Sequence, residues 1–196
     1  MKTPWMEMTV RDFQAALASS SPTPGGGTAS AIALGQASAL TIMVCDLTIG
    51  KDKWKEGWTI AEEAMLCSVK IMSRSGELAD EDSDAFDSVM AAFKMPKDDE
   101  KRVQNRKEAI RMATLEATLK PYETAKLALE LLSKLPELAA KGNGNAVSDV
   151  GVAGLLASAA FKGALFNVEI NLGSLPDDDA IEIRESIESI KEEGRN

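Results

Sequence analysis

No histidine occurs among the 196 residues, and that absence removes Ser-His-Asp hydrolysis, Cys-His proteolysis and the common histidine-built zinc sites together. Acid–base work must fall to carboxylates, amines such as Lys97, the single tyrosine Tyr122, a cysteine or ordered water. Aromatics are scarce at 5% while alanine is prominent, which favours closely packed helices over a sheet. Cys45 and Cys67 are too few for a disulfide framework, and no cationic, apolar leader opens the chain, so a reducing cytoplasm is the expected compartment. Positive charge is in deficit, with 22 Lys and Arg against 31 Asp and Glu, a net charge of −9 and a pI near 4.7. That balance argues against nucleic acid or an anionic membrane as partner, although local basic clusters can still hold an anion. Charge of either sign is missing from Phe13 through Cys45. Its Pro/Gly interruption and its Ser, Thr and Gln content make this stretch read as a buried helix rather than a membrane span.

Residues 1–196 are enough for one domain with a closed core. The apolar periods predict an all-α, up-and-down helical bundle with no strand, repeat or second domain. Thr9 caps a short helix to about Ser19, and a small-residue helix runs from Thr28 to about Thr48, rich enough in Ala and Gly to sit mid-bundle or at a dimer interface. A long helix spans about Thr59 to Lys94, with Gly76 as a candidate kink. Asp98 caps the next, which Pro121 is expected to break near Leu119, so that a separate helix covers Tyr122 to Lys141. A Gly142–Asn145 loop precedes a helix N-capped by Ser148 and reaching Leu172, and an acidic amphipathic helix closes the chain from Asp177 to Glu193.

Several polar groups sit where packing alone would not put them. Gly25, Gly26 and Gly27, within SPTPGGGTAS, strip a helix start of side chains and leave bare N–H groups, with Thr28 beside them, facing any anionic or carbonyl group. A plain inter-helix loop is the simpler reading of that segment alone. On a wheel of roughly 100° per residue, Leu78, Ala85, Phe86, Val89 and Phe93 form one stripe with Asp82 at its centre, while Asp80, Asp84 and Asp87 fall on a solvated side. A carboxylate amid core side chains is costly unless paired, protonated or facing a ligand. Asp149, Asn167 and Asn171 share a small-residue face of the last long helix, either satisfying one another across a dimer or, with Asn143 and Asn145, lining a pocket suited to a flat heteroaromatic amide such as a pterin. Lys51 and Lys97 lie just past helix ends, where they complement a dipole or meet a ligand carboxylate.

In order along the chain, PTPGGGTASA (22–31), Met43-Val44, LTIGK (47–51), DEDS (80–83) with Ala85-Phe86, Met95-Pro96-Lys97, Gly142-Asn143 with Asn145, SDVGVA (148–153), Gly163-Ala164, Asn167-Val168 and Ile170-Asn171 resemble the cyclodeaminase/cyclohydrolase family. That family comprises the C-terminal domain of formimidoyltransferase-cyclodeaminase and stand-alone methenyltetrahydrofolate cyclohydrolases. The resemblance implies a helical domain that forms a homodimer, binds a reduced folate, with or without a polyglutamate tail, near the glycines, and uses no metal or cofactor beyond that substrate. On this reading Asp82 moves the proton, while Gly25–Thr28, Lys51, Lys97, Asn143, Asn145, Ser148, Asp149, Asn167 and Asn171 hold the folate. Thr28 stands where serine is common, Asp46 adds a charge, and Trp54 replaces a frequent tyrosine. A stand-alone chain favours the cyclohydrolase, which hydrolyses 5,10-methenyltetrahydrofolate to 10-formyltetrahydrofolate. The alternatives are the cyclodeaminase, which expels ammonia from 5-formimidoyltetrahydrofolate, and a non-catalytic folate-binding or interaction module.

Overall fold

A computed structural model describes residues 3–194. Six helices follow one another: α1 (Val10–Leu17), α2 (Gly26–Thr48), α3 (Trp58–Phe93), α4 (Glu100–Lys141), α5 (Val147–Gly173) and α6 (Ile181–Glu193), with short 3-10 turns at Trp5–Glu7, Asp52–Gly57 and Gly144–Ala146. The four long helices form an antiparallel ring in which α2 packs on α3 and α5, and α4 packs on the same two, leaving α2 and α4 diagonal. Leu34, Ala37 and Val44 of α2 meet Ile71, Leu131, Leu138, Ala153, Ala157 and Val168 in the core. The close approach needs small residues. A Cβ at Gly35 would lie 2.7 Å from Ser75 Oγ of α3.

α2 and the stretch Gly144–Gly173 are long and apolar enough to cross a bilayer. For α2 the bundle explains this, because α3 and α5 cover its flanks. α5 is apolar on both sides: Ala153, Ala157, Ala160 and Val168 face the core, while Val152, Leu155, Phe166 and Ile170 form an exposed outer stripe, with Leu155 73% and Ile170 71% exposed.

Three expectations fail at helix boundaries. α4 runs unbroken through Pro121 and Pro136. A proline removes the N–H that would bond the carbonyl four residues back, here that of Ala117. Asn171 of α5 replaces it, its Nδ2 donating to Ala117 O at 2.9 Å. The helix therefore continues because a neighbour fills the gap. α5 is not capped by Ser148, since the Gly144–Ala146 turn feeds directly into a helix that starts at Val147 with Ala146 in the cap position. At α4 the cap is Asp99 rather than Asp98, its carboxylate accepting from Arg102 N.

Candidate active site at the start of α2

With no side chains on Gly26 and Gly27, the first turn of α2 can lie directly against α3. Asp82 of α3 fills the space. A Cβ on Gly27 would sit 2.6 Å from its carboxyl carbon and overlap Oδ1. Gly25, the N-cap residue, offers no side chain to the free amides of this turn. The Asp82 carboxylate approaches it from the neighbouring helix, accepting from Thr28 Oγ1 at 3.2 Å, at the positive end of the α2 dipole. Behind Thr28 lies Ser83 Oγ at 2.9 Å, which also accepts from the indole Nε1 of Trp5 at 2.9 Å. Asn167 of α5 closes another side: its Nδ2 donates to Gly163 O, and lies 3.8 Å from where a Gly26 Cβ would be.

Asp82 is half-buried. Burial pushes its carboxyl above the usual carboxylate range, and hydrogen bonding from Thr28 pulls partly against that. The cations nearby are engaged elsewhere. Arg74 forks onto Glu81 at 2.6 and 2.9 Å and onto Glu123 of α4 at 2.7 and 3.0 Å, while Lys120 reaches Glu81 at 3.1 Å. These bonds, Arg74's foremost, hold the Glu81 carboxyl below its ordinary range. One position along the helix, Asp82 is left without an ion pair among the described residues. A carboxyl biased upward in pKa, without a counter-ion and set beside bare backbone donors is equipped to take or give a proton.

The stripe predicted around Asp82 is only half real. Leu78 is buried, but Phe86 and Phe93 are 41% and 50% exposed, because α3 continues about 16 Å past the start of α2 at 1.5 Å per residue. The acidic face beside it is not purely solvated either: Asp80 Oδ1 accepts the Trp5 backbone N–H at 2.9 Å, and Asp87 Oδ1 accepts from Thr23 Oγ1 at 3.2 Å.

The remaining candidates do not join this site within one protomer. Asn143 anchors the far end of α2: its N–H donates to Thr48 Oγ1 and its Nδ2 to Leu47 O, both at 3.0 Å, and its Oδ1 accepts from Asn145 N. Lys51 lies three residues past Thr48, and Ser148 and Asp149 lie in the first turn of α5, which starts at this same end. α2 separates the two groups by about 33 Å. Lys97 is exposed in the α3–α4 connection. Asn171, expected to face a ligand, spends its amide on Ala117. Two grooves accompany the two ends: one of about 470 Å³ is lined by Trp5, Phe13, Ile32 and Gln36, and one of about 550 Å³ by Lys53, Trp54, Lys55 and Lys141.

Trp5 and Ser83 are the site residues that residue-type reasoning passed over. Pro4-Trp5-Met6 precedes the first capped helix and has no helical period, so nothing local signals that its ring is buried against α3.

The cysteines are not reactive groups. Burial, with the charge of Asp46 adding to it, pushes the Cys45 thiol up to about 12, and burial with Glu130 raises Cys67 to about 11. Thiolate chemistry needs the ionised form. Both thiols are expected to resist iodoacetamide at pH 8 in the native protein and to react fully in denaturant; rapid native labelling followed by mass spectrometry would refute this.

Fold and site define a class: an all-α helical bundle in which a carboxyl without a counter-ion among the described residues meets a glycine-stripped helix start. The family model of formiminotransferase-cyclodeaminase matches residues 9–189, and the chain belongs to that family. A methenyltetrahydrofolate cyclohydrolase of Methylorubrum extorquens is 39% identical over 170 residues, 86% of this chain and 81% of that one. The formimidoyltransferase-cyclodeaminase of Gallus gallus is 32% identical over 85% of this chain, which spans 31% of that longer protein. The crystal structure of formiminotetrahydrofolate cyclodeaminase from Thermotoga maritima superposes with a TM-score of 0.85 at 27% identity, covering 97% of this chain and 91% of the other.

Proposed function

We propose that the protein is a methenyltetrahydrofolate cyclohydrolase in one-carbon metabolism, with Asp82 as its proton-transfer group. The observation that carries this reading is the unpaired Asp82 carboxyl at the bare first turn of α2, in a chain that matches a relative of that name over most of both lengths. Water adds to the electrophilic methenyl carbon between N5 and N10 while Asp82 accepts its proton. The carbon–N5 bond of the tetrahedral adduct then breaks as N5 takes up the proton held by Asp82 and the adduct's hydroxyl releases its own to solvent, so that the formyl C=O forms and 10-formyltetrahydrofolate remains. The Gly26 and Gly27 amides and the Asn167 side chain are placed to orient polar edges of the pterin.

The cyclodeaminase is the second reading, favoured by the Thermotoga maritima structure. There N10 attacks the formimidoyl carbon carried on N5, and ammonia leaves after protonation. The upward bias on Asp82 suits the acid role that step demands.

The working unit in this reading is a homodimer paired antiparallel along the outer face of α5. Two observations support it: the Val152, Leu155, Phe166 and Ile170 stripe, and the division of the candidate residues between opposite ends of α2. A two-fold axis across α5 would bring Asn143, Asn145 and Lys51 of one copy toward Asp82 of the other. Leu155→Glu is accordingly expected to give a folded monomer without turnover; an unchanged mass by light scattering would reject this pairing. Free, buried Cys45 and Cys67 suit a cytoplasmic setting, and the net charge of −9 disfavours nucleic acid and anionic membranes as partners.

The deciding experiment follows the near-ultraviolet absorbance of 5,10-methenyltetrahydrofolate above its spontaneous decay, then tests 5-formimidoyltetrahydrofolate with ammonia detection. Acceleration of the first establishes the cyclohydrolase, and activity on the second alone the cyclodeaminase. Silence on both leaves a folate-binding module.

A further inference from the structure

We propose that Trp5 is a positioning residue for the carboxyl group of Asp82: through Ser83 and Thr28 it fixes the direction of a hydrogen-bond chain that ends on Asp82. The proposal rests on the reading of Asp82 as the proton-transfer group.

The direction follows from counting protons. An indole N–H can only donate, so Ser83 Oγ accepts from Trp5 Nε1 at 2.9 Å. Ser83 must place its own hydroxyl proton, and Thr28 Oγ1 at 2.9 Å is its acceptor among the described residues. The other hydroxyls of α2 behave differently: Ser30, Ser38, Thr41 and Thr48 each donate to the carbonyl four residues back. Ser83 and Thr28 make no such bond. With Ser83 donating to it, Thr28 has one proton left, and Asp82 Oδ2 lies 3.2 Å away. Trp5, Ser83 and Thr28 are all buried, where successive hydrogen bonds polarise one another.

Trp5 is itself held at two further points. Its backbone N–H donates to Asp80 Oδ1 at 2.9 Å, and the Phe13 ring stands edge-on to it with centroids 6.1 Å apart. The charged groups around Asp82 are few: Asp80, Glu81, Asp84 and Asp87 on its own helix, with Arg74 and Lys120 of α3 and α4 taken by Glu81. The first turn of α2 brings no charge, α5 brings the neutral Asn167, and the Trp5–Glu7 turn brings only Glu7.

Without the indole donor, Ser83 gains a vacant acceptor position. Thr28 can then turn its proton toward Ser83, and the Asp82 carboxylate loses a donor. A donor to the charged form lowers a carboxyl pKa, so its loss raises the titration midpoint and moves the acid limb of a base-catalysed reaction to higher pH. Removing Ser83 as well deletes the competing acceptor and returns the Thr28 proton to Asp82.

The test is a two-residue cycle on the full chain, reading the Asp82 carboxyl by carbon-13 NMR titration and the pH profile of kcat/KM on 5,10-methenyltetrahydrofolate. Trp5→Phe is expected to raise both midpoints by about one pH unit, the scale of one hydrogen bond to a charged group. In a Ser83→Ala background the same substitution is expected to add nothing. Trp5→Leu, which likewise carries no donor, repeats the measurement if Trp5→Phe does not fold. An unmoved midpoint in the folded Trp5 variant, or a shift persisting in full without Ser83, overturns the chain. A carboxyl that shifts while the kinetic limb stays still overturns its role in turnover. Undiminished activity of Asp82→Asn overturns the functional reading instead, which the titration tells apart because it needs no turnover.

Discussion

Asp82→Asn is expected to lower cyclohydrolase turnover by about 10²–10⁴-fold, the usual worth of a positioned acid or base, and to leave the protein at least as resistant to heat as the parent. The two halves of this expectation come from the same position. As a proton acceptor for water the amide is useless. As a group buried against α2 it is cheaper than a carboxylate, and its oxygen can still accept from Thr28. The pH dependence has a definite sign. Burial holds the folded carboxyl above its unfolded pKa, so its favourable contribution is present below the ordinary carboxylate range and is lost as pH rises through the raised value. At neutral pH the ionised side chain is therefore a net burden that asparagine removes. A purely structural Asp82, capping α2 for stability, predicts the reverse: intact turnover and a lower melting temperature. Calorimetry at pH 5 and pH 8 beside the absorbance assay separates the two.

Gly27→Ala should be almost as damaging to activity and far more damaging to the fold. The added methyl would stand 2.6 Å from the Asp82 carboxyl carbon and overlap Oδ1, so either the carboxyl swings away or α2 and α3 part. Overpacking of this kind costs about 1–3 kcal/mol, and displacement of a catalytic group by about 1 Å can cost 100-fold in rate. The expected result is a melting temperature several degrees lower, with kcat down by about two orders of magnitude. Gly25→Ala is the comparison, since a Cβ there meets only Pro22 O at an ordinary 3.6 Å. Equal effects of the two substitutions would show that backbone freedom, rather than the approach of Asp82, explains the glycines.

The helices were legible in the sequence because periodicity and caps are local, and the bundle followed from their number and short connections. Asp82 stood out as a candidate because a charge inside an expected apolar stripe contradicts its surroundings, although of that stripe Phe86 and Phe93 are exposed. Its support was not legible. Trp5 lies 78 positions from Ser83, and no local pattern announces that contact. The grouping of Asn143 and Asn145 with the glycines does not hold within one protomer for a geometric reason: the glycines open α2, whereas the Asn143 loop, between α4 and α5, packs on its far tip, and residue types cannot orient a helix in space. Pro121 misled because the rule that proline ends a helix assumes nothing replaces the lost donor.

That replacement has a consequence for how the chain can change over time. Pro121 and Asn171 form an ordered pair, in which one position must move before the other is released. Losing Asn171 first strands the carbonyl of Ala117 inside the bundle, whereas an ordinary residue at 121 restores the backbone donor and leaves 171 free to drift. Descendants of this sequence would thus be expected to reach an apolar 171 only by way of a non-proline 121, so the history of one site is written in the other.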